Sequence, residues 1–255
     1  MNTNTSINIG SIALIDKVDA TFNFFDFILG DLVGKTKHLK ESVKLFISNR
    51  LHKCASIYRL GDFYPEETFE YLGFKEKPKE RTLFRDLERI GRNYALVIEL
   101  YQKLLKKHNK VSKEQFPDWS SAYMEGVKSP LGNLGYSREG KPGKNQLTFG
   151  ISTGIDGIPT ALTIQKGNVC DKKHFKSTLK VVDKAMDEES ILIFDCGGNS
   201  KKNKKDVRKI KHHYLTLKQK KEGPYKKYIK MYREAEKEVF YVNNVKYKGV
   251  KVREN

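Results

Sequence analysis

Two aspartates, Asp118 and Asp195, stand where carboxylate chemistry is most easily built. Asp195 ends the apolar run Ile191-Leu192-Ile193-Phe194 and is followed by Cys196-Gly197-Gly198. A short apolar run closed by a turn signal predicts a buried strand with the acid at its C-terminal end. That is the end at which open α/β sheets carry out their ligand chemistry. Asp118 lies in Phe116–Met124, a second predicted strand. Two carboxylates held side by side repel and are tolerated when a cation sits between them. Hard oxygen ligands select Mg²⁺ or Mn²⁺. A pair of such ions about 4 Å apart activates a nucleophilic oxygen and stabilises the leaving oxygen of a phosphodiester. Each acid also has a plainer reading: Asp195 as a cap for the helix starting near Ser200, and Asp118 as a turn acid after Pro117.

The elements that would position them run from residue 113 to 255. After the Phe116 strand, Gly132 to Lys144 is turn-rich, with glycines at 132, 135, 140 and 143. Leu147–Ser152 reads as a strand, Asp156-Gly157 as a hairpin turn, and Ile158–Ile164 as the partner strand. Gly167-Asn168 closes the hairpin, and Asp171 is expected to cap a helix from Lys172 to Met186. The Ile191 strand follows, then a basic helix from Ser200 to Lys211 and a strand from His213 to Lys218. A charged helix comes after Gly223-Pro224. The Val/Tyr alternation from Val239 to Val250 reads as a hairpin around Asn243-Asn244.

The order strand, strand, strand, helix, strand, helix, strand is that of an RNase H-like core. In that arrangement the first three strands form an antiparallel meander, and a helical crossover brings the fourth parallel to the first. Asp118 and Asp195 would then be neighbours. Two features run against a central Phe116 strand. Pro117 removes a ladder donor, and Ser112-Lys113-Glu114-Gln115 is too polar for a buried strand.

Residues 1–112 predict an all-helical module. Its first eight to ten residues are polar and expected to be disordered. Apolar residues at 12, 15, 18, 22, 25 and 29 predict one amphipathic helix over Ile12–Leu32, with Gly30 and Gly34 as stops. A second helix is expected from Leu39 to Leu60, then a turn over Gly61–Pro65 and a short helix from Pro65. Arg81–Lys107 reads as one helix, or as two broken at Gly91. Short helices joined by tight turns suit a helix-turn-helix DNA reader. They suit a plain helical or dimerising module equally, and that is the simpler reading, since no base-contacting residue can be picked out. A homodimer is one arrangement the module allows. The polar stretch His108–Glu114 marks the boundary between the two parts.

The chain of 255 residues carries a formal charge of +18. From Cys196 onward 19 Lys and Arg stand against 6 Asp and Glu, a surplus of 13, leaving only +5 for the rest. Such a basic, tyrosine-containing segment points to a polyanion, most often nucleic acid; the bland alternative is a solvated lysine-rich surface. Lys201, Lys202, Lys204, Lys205, Arg208 and Lys209 are the candidate phosphate contacts. Cys54, Cys170 and Cys196 are far apart with no CxxC pair, which argues against a zinc site or disulfide framework. With no basic-then-apolar start to the chain, this fits a cytoplasmic protein. No stretch is apolar enough for a membrane span.

Six fragments in order carry a family resemblance. They are Asp118-Trp119-Ser120 with Tyr123-Met124-Glu125-Gly126; Gly135-Tyr136-Ser137-Arg138-Glu139-Gly140-Lys141-Pro142 with Gln146; Asp156-Gly157-Ile158-Pro159; Gly167-Asn168-Val169-Cys170-Asp171; Phe194 to Ser200; and Tyr214-Leu215-Thr216. The stretch from about Phe116 to Lys220 resembles the DDE transposases of insertion sequences, of the insertion-sequence-4-like type. The N-terminal helices resemble that family's DNA-binding and dimerisation region only loosely. The resemblance implies Mg²⁺- or Mn²⁺-dependent cleavage and transfer of double-stranded DNA at transposon ends, with Asp118 as first acid and Asp195 as second. The family's third acid, a glutamate on a later helix, has no match. Glu234, Glu236 and Glu238 lack its spacing, and Val239–Val250 would be the start of the β-rich insertion that precedes it. The leading expectation is therefore a transposase-derived protein with a helical N-terminal module and an RNase H-like domain, incomplete at its C-terminus, which binds DNA and cuts it only if a separate chain supplies the third acid. The rival readings are a non-catalytic DNA-binding remnant and a basic nucleic-acid-binding protein of other ancestry.

Overall fold

The computed structural model describes residues 9–33, 38–52, 54–217, 222–242 and 244–251. The polar start at residues 1–8 lies outside the described residues, as do the expected helix stop Gly34, Lys218 at the end of its strand, and Asn243 in the last hairpin turn.

The N-terminal part is helical: α1 (Gly10–Phe22), α2 (Phe24–Val33), α3 (Leu39–His52), a 3₁₀ turn at Ile57–Arg59, α4 (Leu60–Phe63), α5 (Glu66–Leu72), α6 (Glu80–Arg92) and α7 (Tyr94–Lys107). Two helices end earlier than their apolar spacing predicts, and a third boundary falls two residues past Gly91; an asparagine or aspartate takes up a backbone group near each. The helix expected over Ile12–Leu32 breaks at Asn23, which is left-handed at φ 50°, while Asp19 accepts the N–H of Phe25 at 2.8 Å. Asn49 bonds both backbone groups of Ala55 and turns the chain after α3. The break before α7 falls at Asn93, whose amide donates to the Arg89 carbonyl, and not at Gly91. Gly61–Phe63, expected as a turn, is helical.

The second part is built on a five-stranded sheet. Its strands are β1 (Glu114–Met124), β2 (Asn145–Gly154), β3 (Pro159–Lys166), β4 (Ile191–Phe194) and β5 (His213–Thr216), in the order β3-β2-β1-β4-β5. β1, β2 and β3 are antiparallel; β4 is parallel to β1, and β5 to β4. This is a mixed α/β sheet of RNase H-like order, preceded by helices. Helix α8 (Asp171–Val182) makes the crossover from β3 to β4, and α9 (Lys201–Lys209) joins β4 to β5. Both pack on one face of the sheet, over a core of Trp119, Phe175, Leu179, Val182, Leu192, Phe194 and Val207. Each large apolar side chain buried there contributes roughly 1.5–3 kcal/mol. The opposite face keeps apolar side chains at the surface, with Leu215 63% and Leu217 68% exposed. Helix α10 (Glu222–Glu234) contains Gly223 and begins before it, and a separate hairpin, β6 (Glu238–Val242) with β7 (Val245–Gly249), follows.

The two parts meet where α7 lies against β3. Gln102, almost wholly buried, donates to the carbonyls of Thr160 at 2.8 Å and Val181 at 2.9 Å. No helix among the described residues is long and apolar enough to cross a membrane.

The polar start of β1 is accommodated by hydroxyls. Gln115 is fully buried; its side chain donates to the Ser112 carbonyl at 2.9 Å and accepts from Ser152 Oγ at 3.0 Å and from Thr160 Oγ1. A central strand can hold a glutamine when both ends of its amide are satisfied, which the expectation of an apolar strand overlooked.

Candidate functional site

The register of β1 and β4 places the two aspartates. The pairs Glu114↔Ile191 and Gln115↔Leu192 share an offset of 77 positions, and the same offset carries Asp118 to Asp195. The hydrogen-bonded ladder stops before it reaches them. Ile191 donates to the Lys113 carbonyl at 2.9 Å. Along a strand, alternate residues bond the same neighbour, so the next donor beyond Gln115 would be residue 117. Proline has no N–H. Pro117 therefore sits inside β1, paired with Ser152 of β2, and its missing donor falls on the side of β4, where pairing ends. The sequence-based objection to Pro117 is corrected: it does not break the strand but releases β1 from β4 just before Asp118.

Beyond that release lies a groove of about 470 Å³ on the open face of the sheet, lined by Phe116, Pro117, Asp118, Ile193, Phe194, Asp195, Leu215, Thr216 and Leu217. Both aspartates are exposed. Asp118 Oδ1 accepts from the N–H of Trp119 at 2.8 Å. Asp195 Oδ1 accepts from the N–H of Gly197 at 2.8 Å and, more weakly, of Gly198 at 3.4 Å. Neither Oδ2 accepts a hydrogen bond among the described residues. Thr216 Oγ1 donates to the Asp195 carbonyl at 3.1 Å, and Asn199 to the Leu217 carbonyl at 2.7 Å, tying the end of β4 to β5.

The two glycines after Asp195 are required by close approach. A Cβ on Gly198 would lie 3.1 Å from each of the Phe175, Phe194 and Trp119 rings. One on Gly197 would lie 2.7 Å from Asp171 Oδ2 and 3.0 Å from Asp195 Oδ1, so a third carboxylate, that of Asp171, stands beside the Asp195 turn. Asp171 was expected to cap α8. It is instead the first helical residue, following Cys170, and no side chain caps that end. Its carboxylate accepts from the guanidinium of Arg138, which also donates to the Trp119 carbonyl. A charge-assisted bond to arginine is stronger than a neutral cap, and an acid in the first turn still suits the helix dipole.

Arg138 carries no signal of this role in the sequence. It sits in an irregular loop whose partners are 19 and 33 positions away, a relation that no local periodicity reports. Gln146, almost wholly buried, fixes that loop by donating to the carbonyls of Tyr136 at 2.9 Å and Gly167 at 3.0 Å. The fragments that carry Asp118, Arg138, Gln146, Gly167, Asp171 and Asp195 thus meet around the middle of β1 and the C-terminal end of β4.

Beneath them, α8 is held to the sheet by a buried polar chain. His174 bonds Thr163 Oγ1 through Nε2 at 2.9 Å and faces Thr148 Oγ1 through Nδ1 at 3.4 Å. Thr163 bonds Thr178, which accepts from Trp119 Nε1 at 3.0 Å. Burial lowers the His174 pKa from 6.5 to about 4.

The six basic candidates lie on α9, which starts just past the Asp195 turn. Ser200 caps it, accepting from Asn203 N–H at 3.0 Å, while Asn203 and Val207 face inward. Lys201, Lys202, Lys205 and Lys209 are exposed and Lys204 is half-buried. Arg208 stacks over Tyr214 at 5.2 Å and donates to its hydroxyl at 2.8 Å, so it also anchors α9 on β5. Lysines in a first helical turn oppose the dipole, so Lys201 and Lys202 add to a positive helix end. Among the described residues, no group of three or more His, Cys, Asp or Glu side chains is placed to hold a metal ion.

No family model and no curated protein matches the chain. Among solved structures, it is similar to a piggyBac transposase synaptic complex with hairpin DNA, at 11% identity and TM-score 0.44 over 81% of this chain and 47% of that one. It is similar to a Mos1 transposase paired-end complex with left transposon end at 9% identity and TM-score 0.30, over 80% and 74%. A pre-cleavage Mos1 transpososome gives 8% identity and TM-score 0.28, over 71% and 60%. The chain spans about half the length of the piggyBac protein. Likeness at this level carries no argument, and the fold rests on the strand order and register described above.

Proposed function

We propose that this chain is a DNA-binding protein of the DDE transposase type, close to the insertion-sequence-4-like kind. Asp118 and Asp195 would hold a Mg²⁺ or Mn²⁺ ion for cleavage and transfer of DNA strands. The observation that carries the reading is the shared offset: it sets two carboxylates at equivalent positions on adjoining parallel strands, on one groove, where pairing has just been released. The donor set fits a hard divalent cation, being all oxygen and anionic. When bound, such an ion supplies Lewis acidity to a phosphodiester. The exposed lysines of α9 would take the phosphates of duplex DNA beside the acids.

A second reading is a non-catalytic DNA-binding remnant, favoured by the lack of a three-residue ligand group among the described residues. Two aspartates supply only part of the shell that a two-ion site needs. Each ~1.4 kcal/mol lost from transition-state stabilisation costs tenfold in rate. On this ground the chain alone is expected to bind DNA without cutting or joining it. The test is a nicking assay with purified protein, Mg²⁺ or Mn²⁺, and DNA carrying the terminal repeats of its element. Binding without nicking supports the second reading. Metal-dependent nicking that disappears in Asp195→Ala supports the first and overturns the expectation of inactivity.

A further inference from the structure

Pro117 ends the β1–β4 ladder before Asp118, within β1, and Asp195, just past the end of β4, so a contact other than that ladder must set their spacing. We infer that Arg138 and Asp171 are the positioning pair that holds the Asp118 and Asp195 segments at the separation a shared cation requires. This inference rests on the metal-site reading of those two acids.

The contacts form a continuous strut. At one end, the Arg138 guanidinium takes the carbonyl of Trp119, the residue next to Asp118, whose own carboxylate accepts from the Trp119 N–H. At the other end, the same guanidinium holds Asp171, whose second oxygen abuts Gly197 inside the turn that Asp195 closes. The planar fork of arginine suits a two-partner role that a point charge cannot fill. The side chains are only partly exposed, 34% for Arg138 and 23% for Asp171. Charge adds a reason for the pairing: Asp171 stands close enough to Asp195 to repel it, and Arg138 compensates that charge. Neither residue lines the groove between the aspartates. Their role is to place the ligands, and loss of such support typically weakens metal affinity by 10–100-fold.

The test uses Arg138→Met, Arg138→Lys and Asp171→Asn in the full chain, with two readouts besides activity. The first is the Mn²⁺ dissociation constant by calorimetric titration, with the melting temperature as control for folding. The expected result is a tenfold or greater loss in Arg138→Met and Asp171→Asn. Arg138→Lys should fall nearly as far, because it keeps the charge and loses the fork. The second readout is the separation of the two carboxylates in metal-free crystals, which should change in Arg138→Met and Asp171→Asn against the parent. An unchanged separation overturns the inference even if the parent binds Mn²⁺. A changed separation in a protein that never binds Mn²⁺ supports the strut and removes the metal reading. If Arg138→Met does not fold, the near-isosteric Asp171→Asn decides alone.

Discussion

Acidification should loosen this protein through one histidine, over a pH window the structure defines. His174 is 1% exposed, and burial lowers its pKa to about 4 against 6.5 for an accessible imidazole. Between those values the unfolded chain binds a proton that the folded chain does not. Stability therefore rises with pH across the window. The contribution is fully present above pH 6.5 and is lost as pH falls toward 4. A difference of about 2.5 units at 1.36 kcal/mol each amounts to roughly 3 kcal/mol. That is a large share of a typical domain's 5–15 kcal/mol. The unfolding should centre on α8, because His174, Thr163 and Thr178 form the buried polar chain between this helix and β3. The assay is urea denaturation of the parent and of His174→Gln at pH 7.5, 6.0 and 5.0, with the difference between the two proteins isolating this residue from other carboxylates. The parent should lose about 1.2 kcal/mol more than the variant between pH 6.0 and 5.0. Parallel curves for the two proteins would refute the reasoning.

Three further outcomes follow from the same structure. Gln115→Leu removes the amide that accepts from Ser152 and Thr160, and should destabilise by about 2 kcal/mol, read as a lower urea midpoint. Pro117→Val restores a donor facing β4, so the amide of residue 117 should be protected from hydrogen exchange; rapid exchange there would contradict the account of the ladder. DNA affinity should fall on the order of a thousandfold from 50 to 200 mM salt if about six phosphates are neutralised. Replacing Lys201, Lys202, Lys205 and Lys209 with alanine should flatten that slope, and an unaltered slope would remove α9 from the interface.

Much of this architecture is legible in the sequence because it is written in local patterns. The Ile191–Phe194 run, the Asp156-Gly157 turn and the Val/Tyr alternation of the last hairpin each report an element without knowledge of its neighbours. The strand order follows from their succession. What stays hidden is whatever depends on a distant partner. Asp171 looks like a helix cap until Arg138, 33 positions earlier, is seen to hold it. Gln115 looks too polar for a central strand until Ser152 and Thr160 are placed beside it. Pro117 reads as an objection to a strand because the sequence cannot say which side of β1 would lack a donor. The helix break at Asn23 is missed for a related reason: apolar periodicity continues across it, while the backbone follows the local side-chain bonds.

The central claim is that Asp118 and Asp195 share one divalent cation, and anomalous diffraction from crystals soaked in Mn²⁺ tests it most directly. The account predicts one manganese peak in the groove, bonded to a carboxylate oxygen of each aspartate and lost in Asp118→Asn and in Asp195→Asn. No peak there at saturating Mn²⁺, or a peak that survives removal of either carboxylate, would contradict it.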